Sequence, residues 1–259
     1  MMLLNDYYFL TAALPPLSLG ETPEISFAEF KILLEENLSA KDFASVKAML
    51  LPIDLGNIRA LWTKTSFDER GNLTAKELEE ALSNPDVLPP FIGEFLDQYE
   101  SQTDRLRFFS SLYAALFRQE SEEKFVAQYY AFERQVRLVL TALRAKVERR
   151  DITRELQFEE PSDFLINEIL AQKDASDYTP PPEFDALKEA FTRSYQDPKQ
   201  LLQETCAFRF AKYEEIAENK HFSLDRILNY IARLLIVETI EDLKSDRGKD
   251  IIEDLSKYG

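Results

Sequence analysis

The sequence predicts an all-α protein, an elongated multi-helix bundle that begins with a short apolar segment. Apolar residues recur at helical spacing along most of the 259 residues, as they do in helices that pack on one face. The sequence contains no series of alternating β-branched strands separated by helices. Its composition of 45% hydrophobic and 30% charged residues, with 19 Phe and 11 Tyr, is sufficient to bury a substantial core.

The chain opens with the apolar segment Tyr7–Leu14, which ends at two prolines, Pro15 and Pro16. Each proline fixes φ and lacks a backbone N–H, so regular structure should end there. Periodicity does not distinguish a short strand from a first helical turn in so short a segment. In either form, its density of aromatic and aliphatic residues predicts that it is buried.

Helix-start signals and apolar spacing predict the helices that follow. Ser26 and Glu29 have the spacing of a capping box, in which each side chain accepts a hydrogen bond from the other residue's backbone N–H. Further helices are predicted over residues 41–51, ending at Pro52, and over 54–63, 74–82, 91–99, 104–118, 184–195, 198–219 and 251–255.

Two long helices are predicted to organise the core. The first begins after an N-cap at Ser121. Its apolar residues are separated by gaps that alternate between four and three: Phe125, Tyr129, Phe132, Val136, Val139 and Leu143. This spacing indicates a helix packed lengthwise on another helix within the bundle. The second helix, Ser223–Lys244, has a wide apolar face, which predicts a central position in the core.

Three consecutive prolines, Pro180–Pro182, interrupt the helical pattern and predict an extended segment over residues 174–183. This segment separates an N-terminal and central helical region, residues 1–173, from C-terminal helices in residues 184–259. It is interpreted either as a hinge between two helical bodies or as a surface loop of one body.

The formal net charge of −16 limits the partners of the protein. An acidic field repels phosphate backbones and anionic lipid surfaces, so we expect no nucleic acid among its partners. No uninterrupted apolar run approaches 18 residues, and the N-terminus lacks the basic region of a secretory signal. We therefore expect a cytoplasmic protein without a membrane span, and its single cysteine cannot form an internal disulfide.

The inventory of reactive residues argues against an enzyme. The chain has one histidine, His221, one cysteine, Cys206, and six glycines. Metal cages, nucleophile–base pairs and glycine-rich phosphate loops are hard to assemble from this set. We expect His221 to be a polar loop residue, Cys206 a small core residue, and the acidic clusters solvated helix faces. No catalytic residue, metal or cofactor is predicted.

A segment around Gly71 resembles the second half of an EF-hand loop, with this glycine at the sixth position. The first, third and fifth positions, which supply oxygen ligands to calcium, then fall on Ser66, Asp68 and Arg70. An arginine among these positions weighs strongly against a cation site. We therefore interpret the segment as a turn at Gly71 followed by a capping box of Thr74 and Glu77.

A stretch rich in cations interrupts the acidic chain. It contains seven of them: Arg134, Arg137, Arg144, Lys146, Arg149, Arg150 and Arg154. These cations either neutralise the protein's own acidic helices or form a face that contacts an acidic partner. The candidate partner-binding residues are Arg134, Arg137, Arg144, Arg149 and Arg150.

Four segments together resemble one protein family. They are Tyr7–Leu19, Asp68–Thr74, Leu88–Ile92 and Phe125–Glu133, and the resemblance extends over nearly the whole chain. The chain is similar to an uncharacterised bacterial family whose members are encoded among V-type (V/A-type) ATPase subunit genes. In those gene clusters the family is a candidate for the role of the central-stalk subunit designated C, the socket subunit.

The resemblance implies a non-catalytic, all-helical protein of a rotary ATPase. The socket subunit is helical and funnel-like, sits on the membrane rotor ring and grips the lower end of the central stalk, so ring and stalk are both expected partners. The protein would be cytoplasmic and peripheral to the membrane through the complex. An assembly chaperone or regulator of the ATPase is the alternative, and an enzyme using scattered carboxylates is a third hypothesis. No binding residue of the socket subunit is carried over to this sequence.

Overall fold

The computed structural model describes residues 7–217, 223–244, 248–249 and 252–253, and the protein is all-helical. The described residues contain no strand, and none of their helices is long and apolar enough to cross a membrane. The α-helices of the described residues are α1 Tyr8–Ala12, α2 Phe27–Asn37, α3 Ala40–Thr63, α4 Ala75–Ser83, α5 Pro90–Gln98, α6 Gln102–Arg107, α7 Phe109–Phe117, α8 Lys124–Val147, α9 Ile152–Glu155, α10 Phe164–Ala171, α11 Asp185–Ser194, α12 Pro198–Ala217 and α13 Leu224–Asp242. Short 3-10 helices cover Pro85–Val87 and Pro182–Phe184. These bounds confirm the predicted all-α class, while the helix predicted over residues 251–255 falls largely outside the described residues.

The N-terminal apolar segment forms the short helix α1 and not a strand. Its burial is only partial: Leu10 is buried, but Tyr8 is 61% and Phe9 83% exposed. The prediction that the whole segment is buried is therefore wrong, because a single helical turn presents one face to the core and the other to solvent. The hydroxyl of Tyr7 donates to the carboxylate of Asp42 and so attaches this segment to α3.

Local capping chemistry sets the start of two helices as predicted. The Ser26 hydroxyl accepts from the backbone N–H of Glu29 at 3.2 Å, and the Glu29 carboxylate accepts from the backbone N–H of Ser26 at 2.9 Å. Thr74 and Glu77 form the same reciprocal pair at the start of α4. Both predicted capping boxes are thus confirmed.

Two predicted boundaries differ from the structure. Helix α8 is capped by Glu123 and not by Ser121, whose hydroxyl instead accepts from the Glu123 backbone N–H at 3.2 Å. The helix predicted over residues 104–118 is divided into α6 and α7 at Phe108. The reason is tertiary, since the Phe108 ring stacks on Tyr99 with ring centroids 4.9 Å apart.

The prediction that a helix ends at Pro52 is wrong, because α3 continues through this proline to Thr63. Proline lacks the N–H that would bond to the carbonyl four residues earlier, which is that of Ala48. The Tyr130 hydroxyl of α8 donates to this carbonyl at 2.6 Å. A side chain from another helix therefore satisfies the acceptor that Pro52 leaves free, and the two segments predicted over 41–51 and 54–63 form one helix.

This contact predicts a specific coupling between Tyr130 and Pro52. Tyr130→Phe should lower the free energy of unfolding by about 0.5–1.5 kcal/mol, because it leaves a partly buried carbonyl without a donor. In a Pro52→Ala background the same change should cost clearly less, since the new N–H of residue 52 bonds to Ala48. Urea unfolding of the four proteins measures the coupling energy. Equal costs of Tyr130→Phe in both backgrounds would contradict this account.

The two long helices α8 and α13 lie in the core, as predicted. The six predicted apolar positions of α8 are all buried: Phe125, Tyr129, Phe132, Val136, Val139 and Leu143. Helix α8 contacts α3, α7, α9, α10, α11 and α13, so it is surrounded by several helices rather than paired lengthwise with one. Helix α13 contacts α2, α3, α8 and α12 and buries ten of its residues.

The single tryptophan marks a junction of four helices near the end of α3. The Trp62 ring lies nearly parallel to the Phe95 ring of α5, with centroids 6.5 Å apart. It contacts the Phe109 ring of α7 edge-on, with centroids 6.0 Å apart. The guanidinium of Arg105, from α6, lies over the same ring at 5.8 Å. These contacts hold α5, α6 and α7 against the C-terminal end of α3.

The proline-rich segment over residues 174–183 is attached to its surroundings at several points. The Tyr178 side chain is fully buried, and the side-chain amide of Gln172 exchanges two 2.9 Å hydrogen bonds with the backbone of Thr179. The Lys146 ammonium of α8 donates to three carbonyls: those of Gln172, Lys173 and Ala175, at 2.6–2.7 Å. The division of the chain at this segment stays a prediction.

Candidate functional site

The predicted basic stretch lies on α8, on α9 and in the turn between them, and several of its members pair with carboxylates of the same chain. Arg134 and Arg137 converge on Glu159, whose side chain is only 5% exposed, at 3.0 and 2.8 Å. Arg134 also pairs with Asp163 at 2.9 Å. Neutralisation of internal acidic groups therefore accounts for these two arginines, whereas their contact with an acidic partner stays a prediction.

The remaining candidate arginines differ in their surroundings. Arg144 is partly buried, and this burial lowers the pKa of its guanidinium. Arg150 pairs with Glu148 at 2.8 Å and with Glu155 at 3.3 Å. Arg149 is exposed, adopts a left-handed backbone with φ of 56°, and forms no ion pair with the described residues. Of the five candidates, Arg149 is thus the most available to a partner.

The EF-hand-like segment forms a turn in which Arg70 pairs with Asp68. The Arg70 guanidinium holds both oxygens of Asp68, at 2.8 and 2.7 Å. It also approaches Glu238 and Asp242 of α13 at 3.8 and 3.5 Å. Arg70 therefore links the turn between α3 and α4 to α13 by ion pairs within the protein.

The two other residues weighed for chemistry have different outcomes. Cys206 is 5% exposed within the core, which confirms the expectation for this residue. Burial raises the pKa of its thiol to about 11, so the nucleophilic thiolate form is disfavoured near neutral pH. His221 lies outside the described residues.

A groove lies between one face of α13 and the segment that follows α1. Its α13 side consists of residues at helical positions i, i+3, i+4 and i+7: Arg226, Asn229, Tyr230 and Arg233. Its other side consists of Leu14, Pro15, Pro16 and Leu17. The groove has a volume of about 230 Å³. It combines an apolar wall with a polar wall that carries two arginines in a strongly acidic protein.

Arg233 is held in this groove by contacts on two sides. Its guanidinium carbon lies 4.3 Å from the centroid of the Phe210 ring, and its Nη2 donates to Glu214 at 2.6 Å. Its Nε is buried and has no hydrogen-bond partner among the described residues. Burial lowers the pKa of Arg233, and the nearby charge of Arg226 lowers it further, while Glu214 opposes both effects.

Tyr230 supplies a second buried donor. The residue is 6% exposed, and its ring packs edge-on against Phe30 with centroids 5.2 Å apart. Its hydroxyl is buried without a hydrogen-bond partner in the described part of the chain. Burial raises the pKa of Tyr230 to about 12, so the hydroxyl stays protonated and able to donate near neutral pH. Next to it, the Asn229 side-chain amide donates to the Tyr213 carbonyl and so helps fix this face of α13.

The groove is not among the sites predicted from the sequence. The helix predicted over Ser223–Lys244 was assigned to the core from its apolar face alone. A signal was present in the spacing of Arg226 and Arg233, which places two cations seven residues apart on one helical face with Tyr230 between them. The apposition of this face with Leu14–Leu17, however, joins residues more than two hundred positions apart in the chain.

The fold defines an all-helical protein of the multi-helix bundle class. Within that class, the chain belongs to the family described as "Protein of unknown function (DUF2764)", whose model matches residues 4–258. It is 29% identical over 262 residues to an "Uncharacterized protein" of Chlamydia muridarum (strain MoPn / Nigg), covering 98% of both chains. It is 28% identical, with the same coverage, to proteins with that description from Chlamydia trachomatis serovar D and Chlamydia pneumoniae. No solved structure matches the chain.

Proposed function

We propose that this protein is a non-catalytic component of a V-type ATPase, with a role like that of the socket subunit, which links the membrane rotor ring to the central stalk. The resemblance in four segments, Tyr7–Leu19, Asp68–Thr74, Leu88–Ile92 and Phe125–Glu133, carries this proposal. The all-helical fold is of the kind that such a component requires. On this proposal the protein lies in the cytoplasm and reaches the membrane only through the complex.

The way in which the protein uses its polar groups favours packing over chemistry. In the core, Arg209 Nε donates to both oxygens of Glu133, at 2.9 and 3.0 Å, and the Tyr213 hydroxyl donates to the same carboxylate at 2.6 Å. Burial holds the pKa of Tyr213 well above its ordinary value. A carboxylate with three such hydrogen bonds is committed to structure, which suits a component that transmits force through packed helices.

The central position of α8 and α13 supports the mechanical part of this proposal. Each of these helices contacts at least four others, so a displacement of one end of the bundle is passed to many packed side chains. A stalk component has to transmit torque without bending, and rigidity of these two helices would matter more than any one reactive group.

Affinity purification tests the association. When the ATPase is purified from its native host through a tag on one of its catalytic subunits, we expect this protein in the intact complex at constant ratio to the stalk subunits. If it binds free ATPase subunits but is missing from the finished complex, the alternative role of assembly chaperone or regulator holds instead. Its absence from both fractions would contradict the proposed function.

A charge reversal tests the predicted partner-binding stretch in the same purification. Arg149→Glu should reduce recovery of the protein with the complex, because Arg149 is the exposed candidate without an ion pair among the described residues. Arg118→Glu, at an exposed arginine outside this stretch, is the matched control. Equal recovery of the two variants would remove Arg149 from the contact.

A further inference from the structure

We infer that the groove between α13 and Leu14–Leu17 is a binding site for a carboxylate, which Arg226, Tyr230 and Arg233 recognise. This inference does not depend on association with an ATPase, because it rests on the side chains that line the groove. The ligand carboxylate belongs either to a small organic acid or to an acidic side chain of a partner protein.

Two hydrogen-bond donors in the groove lack an acceptor among the described residues. The Arg233 Nε and the Tyr230 hydroxyl are both buried, and neither has a hydrogen-bond partner among the described residues. Buried donors in native proteins are almost always paired, and an unpaired one needs an explanation. Both residues line the same groove, so a ligand there with two acceptor oxygens would satisfy both donors once the side chains that cover them move aside.

The charge around the groove selects a monoanion. Glu214 pairs with Arg233 at 2.6 Å, which leaves Arg226 as the groove cation without an ion pair among the described residues. Glu24 is also close enough to raise the pKa of Tyr230, after the larger effect of burial. With Glu24 counted, the two arginines and the two glutamates balance, so a carboxylate with one negative charge is repelled less than a phosphate dianion is.

The apolar wall and the volume limit the size of the ligand. Leu14, Pro15, Pro16 and Leu17 offer aliphatic surface beside the donors. A volume of about 230 Å³ lies below the roughly 300–1,000 Å³ of pockets for drug-sized ligands. The groove therefore fits a carboxylate that carries a short aliphatic chain, such as a small acid or one glutamate side chain.

Nuclear magnetic resonance titration of the full chain tests the site. The probes are butyrate, the neutral isostere butyramide, inorganic phosphate and the blocked tripeptide acetyl-Leu-Glu-Leu-amide. We expect saturable shifts of the Arg226, Tyr230 and Arg233 signals with butyrate or with the tripeptide, and no saturation with butyramide. The tighter of the two carboxylate probes identifies the source of the ligand. No saturation by either of them, or tighter binding of phosphate, would overturn the inference.

Matched variants separate recognition from folding. Arg226→Gln and Tyr230→Phe should each weaken binding of the carboxylate probe by about tenfold, because each removes a charge or a donor and retains the packing. Arg118→Gln and Tyr178→Phe are the controls. Arg118 lies outside the groove, and the Tyr178 hydroxyl is likewise buried without a partner among the described residues but does not line the groove. Equal affinities of test and control variants would show that the groove is not the site.

Discussion

Replacing Glu133 by Met is expected to lower the free energy of unfolding by about 3–5 kcal/mol, the range found when one partner of a buried ion pair is removed. The side chains of Arg209 and Glu133 are only 22% and 15% exposed. Without the carboxylate, the guanidinium of Arg209 stays in the core with no counter-charge. The Tyr213 hydroxyl loses its acceptor in the same change. Chemical denaturation followed by helical circular dichroism measures the effect.

A second substitution separates the buried charge from the loss of packing. Glu133→Met combined with Arg209→Met should recover most of the stability, since the pair is then replaced by apolar side chains of similar length. The surface control is Glu122→Met, which removes a 3.4 Å ion pair with Lys41 whose side chains are 91% and 83% exposed. We expect almost no change there. A double variant no more stable than Glu133→Met alone would refute the role assigned to the buried charge.

Gly71→Ala is expected to destabilise the protein by about 1–3 kcal/mol, as overpacking of a close contact does. A Cβ at this position would lie 2.5 Å from Asp54 Oδ1 and 3.0 Å from Asn57 Nδ2. Asp54 is 4% exposed and accepts hydrogen bonds from the backbone N–H and the side-chain amide of Asn72, at 2.8 and 2.6 Å. The added methyl group would push this carboxylate away from both donors.

The matched control lies in the same helix as Asp54. Gly56 is exposed in α3, and a Cβ there would meet nothing within 4 Å. Gly56→Ala should therefore stabilise the protein by about 0.5–1 kcal/mol through helix propensity alone. Changes of opposite sign at the two glycines, measured by urea unfolding, would support close backbone approach as the reason for Gly71. If Gly71→Ala did not lower the free energy of unfolding relative to Gly56→Ala, close backbone approach would not be the reason for Gly71.

The sequence predicted those parts of the fold that depend on residues close together in the chain. Ser26 with Glu29 defines a helix start over one turn of chain, and the apolar spacing of α8 and α13 is repeated often enough to identify core helices. The continuation of α3 through Pro52 was not predictable, because the Tyr130 hydroxyl that permits it lies 82 residues along the chain from the carbonyl it satisfies.

The candidate site depends even more on contacts between residues that are far apart in the chain. The charges of Arg134 and Arg137 are visible in the sequence, but their shared partner Glu159 follows more than twenty residues later. The groove depends on the apposition of Leu14–Leu17 with α13, and on two donors whose lack of a partner among the described residues is a property of the packed structure. Composition led us to expect no catalytic site, which stays a prediction, and it could not locate this groove.

The junction around Trp62 provides an optical probe of cooperativity. As the single indole of the chain, this residue reports by its fluorescence on the packing of α3, α5, α6 and α7, all of which precede the proline-rich segment. Helical circular dichroism reports on both sides of that segment. Coincident denaturation curves from the two signals would identify one cooperative unit, whereas separated curves would identify two. The lone tryptophan thus allows the question of one body or two to be decided in solution without any label.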